Sequence, residues 1–74
     1  MSDNEQLIMI VESIIELKIR DKITPEIALR AEVIKLWDKD IKSLNAAIEN
    51  GVKNGALIEG DTINSRYYKV KKWQ

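Results

Sequence analysis

The chain has 74 residues, twelve Lys and Arg against twelve Asp and Glu, and neither histidine nor cysteine. That length admits one domain, residues 1–74, and so short a chain buries only about 60% of the surface its unfolded form exposes; without disulfides or thiolate metal sites, stability rests on packing or association. A net charge of zero argues against a protein held to nucleic acid by charge alone.

Met1-Ser2-Asp3-Asn4-Glu5 is acidic where a secretory signal would be basic. The apolar run that follows, Leu7 to Val11, falls far short of the roughly 18 residues a membrane span needs. A soluble, cytoplasmic protein with no membrane partner is the expectation. Residues 5–20 read as a helix, because Leu7, Ile10, Val11, Ile14, Leu17 and Lys18 recur at helical spacing while Glu5, Glu12 and Glu16 fall together opposite. Ile8, Ile15 and Ile19 widen its apolar arc to about half the circumference, more than one core stripe requires. The surplus predicts a homodimer through Ile8, Ile15 and Ile19.

Lys22-Ile23 is expected as a short strand, since a residue before proline favours extended backbone. Thr24 then suits the N-cap of a second helix, with Pro25 at its first position and Glu26 in its first turn. Ile27, Ala28, Ala31, Ile34 and Leu36 supply the buried face of that helix, which ends near Trp37. Asp38 or Asp40 caps a third helix whose core stripe is Ile41, Leu44, Ala47, Ile48 and either Gly51 or Val52. Lys53 lies in its last turn, and Asn54-Gly55 provides the left-handed residue that follows.

The period then changes from helical to alternating. Ala56-Leu57-Ile58-Glu59 and Arg66-Tyr67-Tyr68-Lys69-Val70-Lys71 read as two strands joined by a turn-rich loop, a hairpin. Tyr68 and Val70 share one face of the second strand, and Tyr67, Lys69 and Lys71 the other, the half-buried pattern of an antiparallel edge. Charge is divided along the chain: residues 1–38 carry five cations against eight acids, a net of −3, and residues 39–74 carry seven against four, a net of +3. The basic half is the candidate polyanion-facing half.

This order of helix, short strand, helix, helix and hairpin resembles the winged helix-turn-helix family. Residues 24–71 carry most of the likeness, above all the stretch 44–58, in which an amphipathic helix closes on glycine and runs directly into an apolar strand. The resemblance implies an α+β domain whose third helix lies in the major groove of double-stranded DNA and whose hairpin is the wing. A wheel with Ile41, Leu44 and Ile48 inward sends Lys39, Lys42, Ala46, Glu49 and Lys53 outward, with Ser43 and Asn50 on one flank and Asn45 on the other. Lysines suit phosphates, asparagine suits adenine, and a small Ala46 allows close approach. The candidate DNA-binding residues are therefore Lys39, Lys42, Ser43, Ala46, Asn50 and Lys53 on the helix, with Arg66, Tyr67, Lys69 and Lys71 on the hairpin. Glu59 and Asp61 demote the wing tip.

Catalysis is not expected, because the chain offers no histidine, no cysteine, no serine beside a base and no paired carboxylates in a concave site. Asp38 and Asp40 read as helix caps and not as a metal pair, and nothing calls for a cofactor. Asn50-Gly51, Asn54-Gly55 and Glu59-Gly60 do not follow a strand and open a helix as phosphate loops do. Trp37 and Trp73 read as packing residues, while Tyr67 either stacks on a ligand or covers the sheet. The expected function is that of a small transcription regulator or a DNA-architectural or recombination accessory factor. The alternative is a protein-interaction module that binds no DNA.

Overall fold

The computed structural model describes residues 2–71. Trp73 and Lys72, read above as a packing residue and as part of the basic half, lie outside them. Among the described residues there are three helices and a three-stranded antiparallel sheet: α1 (Asp3–Arg20), β1 (Ala28–Leu29), α2 (Arg30–Leu36), α3 (Ile41–Lys53), β2 (Leu57–Asp61) and β3 (Arg66–Val70), with strand order β1-β3-β2. Among the described residues no helix is long and apolar enough to cross a membrane.

Helix α1 begins two residues earlier than the apolar period indicates, because the Ser2 hydroxyl accepts the Glu5 N–H and caps it. Its end explains why Lys22-Ile23 is not a strand. Lys22 adopts a left-handed φ of 57°, its N–H donates to Ile19 O, and the Ile23 N–H reaches back to Lys18 O. These two bonds close the last turn of the helix, so both residues are committed to it.

The expected start of the second helix also moves. Thr24 and Pro25, joined by a cis peptide, belong to a connection, and the short strand is Ala28–Leu29, hydrogen-bonded to β3 with Ala28 opposite Tyr68. Leu29 is the N-cap of α2, and the carboxylate of Glu32, three residues on, accepts the Leu29 N–H at 2.9 Å. The same carboxylate takes the Lys18 ammonium at 2.7 Å, while Lys18 also donates to Ile27 O at 2.6 Å. Burial pushes the Glu32 carboxyl up, but the Lys18 hydrogen bond, the Leu29 N–H and nearby lysine charge outweigh it and hold the group below its ordinary range. One lysine thus ties α1 to the connection and to α2. The short α2 buries Val33 where Ala31, Ile34 and Leu36 were expected; these three are exposed, and the buried Ile27 and Ala28 precede the helix.

The core is built from Leu7, Val11, Ile14 and Ile15 of α1, Val33 and Trp37 around α2, Leu44, Ala47 and Ile48 of α3, and Leu57, Tyr68 and Val70 of the sheet. Ile15, proposed above for a dimer face, is only 1% exposed, and Ile8 packs partly buried against the core. The first helix meets α2, α3 and β3 together, so much of an arc wider than one stripe is consumed internally, while Leu17 and Ile19 stay exposed. Strand β3 is the middle strand and not an edge. Its Tyr68 is wholly buried, and its hydroxyl accepts a hydrogen bond from Arg30 Nη1 at 3.1 Å.

Replacing Tyr68 by Phe removes that acceptor while keeping the ring, and is expected to cost about 1 kcal/mol; Tyr68→Ala, which empties the site, should cost about 3–5 kcal/mol. Urea unfolding of both variants measures the two. Glycine tolerates the left-handed region that a lysine side chain resists, so Lys22→Gly should raise stability by up to about 1 kcal/mol in the same assay.

Candidate nucleic-acid interface

The third helix starts where the sequence offers two caps, and Asp40 is the one used. Its carboxylate accepts the Ser43 N–H at 2.9 Å, and its carbonyl accepts the Ser43 hydroxyl at 2.8 Å. Trp37, buried just ahead, directs its indole N–H to Asp40 O and Ser43 Oγ, both at 3.2 Å. Leu44, Ala47, Ile48 and Gly51 face inward, so Gly51 and not Val52 continues the stripe; Ile41, expected in it, is 46% exposed. A Cβ at Gly51 would lie 3.0 Å from Leu57 Cβ, which fixes how closely α3 crosses β2. The helix ends on Asn54, Gly55 takes a φ of +83°, and Asn54 Oδ1 accepts the Ala56 N–H as the chain turns into β2.

Of the helical candidates, Lys42, Ala46, Asn50 and Lys53 are exposed on α3, and neither lysine makes an ion pair among the described residues. Lys39 differs, because it precedes the helix. Its ammonium pairs with Asp3 and lies 5.8 Å from the centre of the Trp37 ring. The hydrogen bond to Asp3 is the main reason its pKa stands above the ordinary lysine value. Ser43 is half-buried, with its hydroxyl occupied by Asp40 and Trp37.

The hairpin candidates do not form one surface with α3. Alternation and register place Tyr68, Val70 and Leu57 on the inner face of the sheet, which leaves Tyr67 and Lys69 on the outer face, away from the core and α3, with Lys71 exposed just past the strand end. The Tyr67 ring lies across Gly60, where a Cβ would come within 2.4 Å of it, so this tyrosine covers the sheet. Arg66 projects on the α3 side, but its Nε is 3.2 Å from Asp61 and its Nη1 3.6 Å from Glu59. The two carboxylates, Glu59 foremost, raise its pKa and cancel much of its field.

Sequence reasoning missed Arg30. Its second guanidinium nitrogen, Nη2, donates to Asn45 Oδ1 at 2.7 Å, so one side chain joins β3, the start of α2 and the flank of α3. Arg30, Asn45, Glu49, Lys53, Glu59 and Arg66 border an open groove of about 570 Å³ between α3 and the hairpin, with three cations against two acids. No local signal marks Arg30, since its partners are fifteen and thirty-eight residues away.

Comparison of the chain with protein-family models, with curated proteins and with solved structures gives no match.

The Asp40 carboxyl stands below its ordinary value of 3.8, chiefly through the Ser43 N–H. Because the folded value is the lower one, the contribution of this cap is full above the unfolded pKa and is lost as pH falls through the folded one. Amide exchange at Ser43 should therefore accelerate on acidification beyond the intrinsic trend. Asp40→Asn should remove that dependence while keeping the cap, and Asp40→Ala should expose the amide at every pH.

Proposed function

We propose that the chain is a winged helix-turn-helix protein that takes double-stranded DNA on the exposed face of α3, acting as a small regulator or accessory factor. The observation that carries this reading is that α3 is anchored along one stripe and along both flanks, while the remaining face, with Lys42, Ala46, Asn50 and Lys53, is covered by no other described element. The element order and the three-stranded antiparallel sheet support it as well.

Lys42 and Lys53 are eleven residues apart and near one angular position, hence about 16 Å apart along the helix. That separation suits two phosphates flanking a major groove about 12 Å wide. Between them Ala46 allows the helix to sit deep, Asn50 offers a donor and acceptor to adenine, and Glu49 accepts from a cytosine amino group. Phosphate contacts position the helix and the central residues read bases. Tyr67, Lys69 and Lys71 are left out of this contact, and Arg66 contributes little while held by Glu59 and Asp61.

The alternative, a protein-interaction module, is favoured by the internal pairing of Lys39 and Arg66, which leaves a weak field for a polyanion. A fluorescence titration of a random duplex across salt concentrations separates the two. DNA binding predicts affinity falling steeply with salt, with Lys42→Ala and Lys53→Ala each weakening it several-fold and lowering the salt slope by about 1. Absence of binding at low salt, together with retention of a stoichiometric protein partner, selects the alternative.

A further inference from the structure

The first helix carries a second exposed surface that neither the core nor α3 uses. Met9, Leu17 and, from the neighbouring segments, Ile23 and Leu36 are each about half exposed, at 53, 49, 49 and 54%. Leu36 stands between two shallow pits against α1. One, of about 300 Å³, is bordered by Gln6, Met9, Ile10 and Ser13; the other, of about 320 Å³, has an apolar side of Ile14, Leu17 and Ile23 and a charged side of Lys18, Asp21, Glu32 and Lys35. This stripe lies on the side of α1 opposite Asn4, whose amide bonds Ala47 O of α3.

We infer that this surface is the interface of a two-fold dimer in which α1 of one copy packs antiparallel on α1 of the other. The stripe runs Gln6, Met9, Ser13, Leu17, Arg20, with spacings of three, four, four and three residues, and so reads the same in both directions from Ser13. Its chemistry is symmetric too, polar at the ends, apolar one turn in and small at the centre. A two-fold axis through Ser13 sets Met9 of each copy against Leu17 of the other and Arg20 against the partner's Gln6. The Ser13 hydroxyl is already satisfied, donating to Met9 O at 2.8 Å, so the centre presents a small side chain with no unmet polar group.

Gln6 donates its amide N–H to Asp38, which leaves its carbonyl oxygen to accept from an arginine. Each Leu36 is a knob between two holes, and the same set of knobs and holes is present on both copies, as an isologous interface requires. Four half-exposed apolar side chains per copy make a contact below the standard size of stable interfaces, hence a weak, concentration-dependent dimer. The two α3 faces remain free in it, so the inference is independent of DNA binding.

Sedimentation equilibrium of the full chain should show a monomer–dimer equilibrium, weakened about tenfold or more by Leu36→Lys and unchanged by Ile19→Lys, on another side of the helix. Since the chain has no cysteine, Ser13→Cys should cross-link to a covalent dimer under mild oxidation, much faster than Ile19→Cys. A monomer at every concentration overturns the proposal. So does a dimer that Ile19→Lys disrupts and Leu36→Lys does not, or cross-linking of Ser13→Cys no faster than of Ile19→Cys.

Discussion

The geometry of this small domain turns on the Arg30 guanidinium. Tyr68 is wholly buried in the middle strand, and a buried phenol needs a partner for its hydroxyl. Arg30, at the first position of α2, supplies one nitrogen to it and the next to Asn45 of α3. A planar fork can hold two acceptors in a fixed relation; a lysine ammonium, a single rotating point charge, would hold neither orientation as well. On the opposite flank of α3 the Trp37 indole grips Asp40 and Ser43. Held on both flanks and packed along its inner stripe, α3 has its rotation about its own axis fixed, and with it the identity of the residues it shows to solvent.

The same framework sorts the charges. The sequence concentrates its positive excess in the second half, but folding spreads it over surfaces with different surroundings. Strand alternation sends Lys69 to one face of the sheet and Arg66 to the other, where Glu59 and Asp61 meet it. Lys39 is matched to Asp3 across the gap between the start of α1 and the loop before α3. What remains on α3 is a pair of lysines at the two ends of one face with an acid between them, an arrangement that selects through short-range geometry more than through long-range attraction.

How far the sequence revealed this depends on whether the deciding interactions are local. Asp40, Gly55 and the change from helical to alternating period each act within a few residues, and α3 with the hairpin was legible from them. The stretch between the first and third helices was not. Pro25 after Thr24 suggests a helix start, but Ala28 and Leu29 are drawn into a strand by β3, about forty residues on, and α2 can begin only after that pairing ends. Lys22 closes α1 in a left-handed conformation without the glycine or asparagine that signals one. The wheel places Lys42, Ala46, Glu49 and Lys53 of α3 outward as the structure does, because the packing of this helix is one-sided, but it fails at the first turn, where Ile41 is exposed. It failed on Ile15 because α1 touches three elements, so the boundary between core arc and exposed arc depends on where those elements lie. Alternation separated the two faces of β3, but nothing local says on which face α3 packs, and so the hairpin lysines were grouped with the helix that the sheet separates them from.

The neutrality of the chain bears on both proposed surfaces in opposite directions. A protein without net charge gains little long-range attraction toward a phosphate backbone, so two lysines on α3 give a weak contact in a single copy. Neutral copies also do not repel one another, which removes the main electrostatic barrier to covering the apolar stripe on α1. In the proposed dimer on the proposed ligand, the second α3 would meet the same duplex at a high effective concentration, so two weak contacts would combine into a strong one where half-site spacing matched the dimer. Under the two proposals together, the exposed apolar stripe on α1 and the scarcity of free cations on α3 are complementary, with affinity drawn from pairing copies and not from charge.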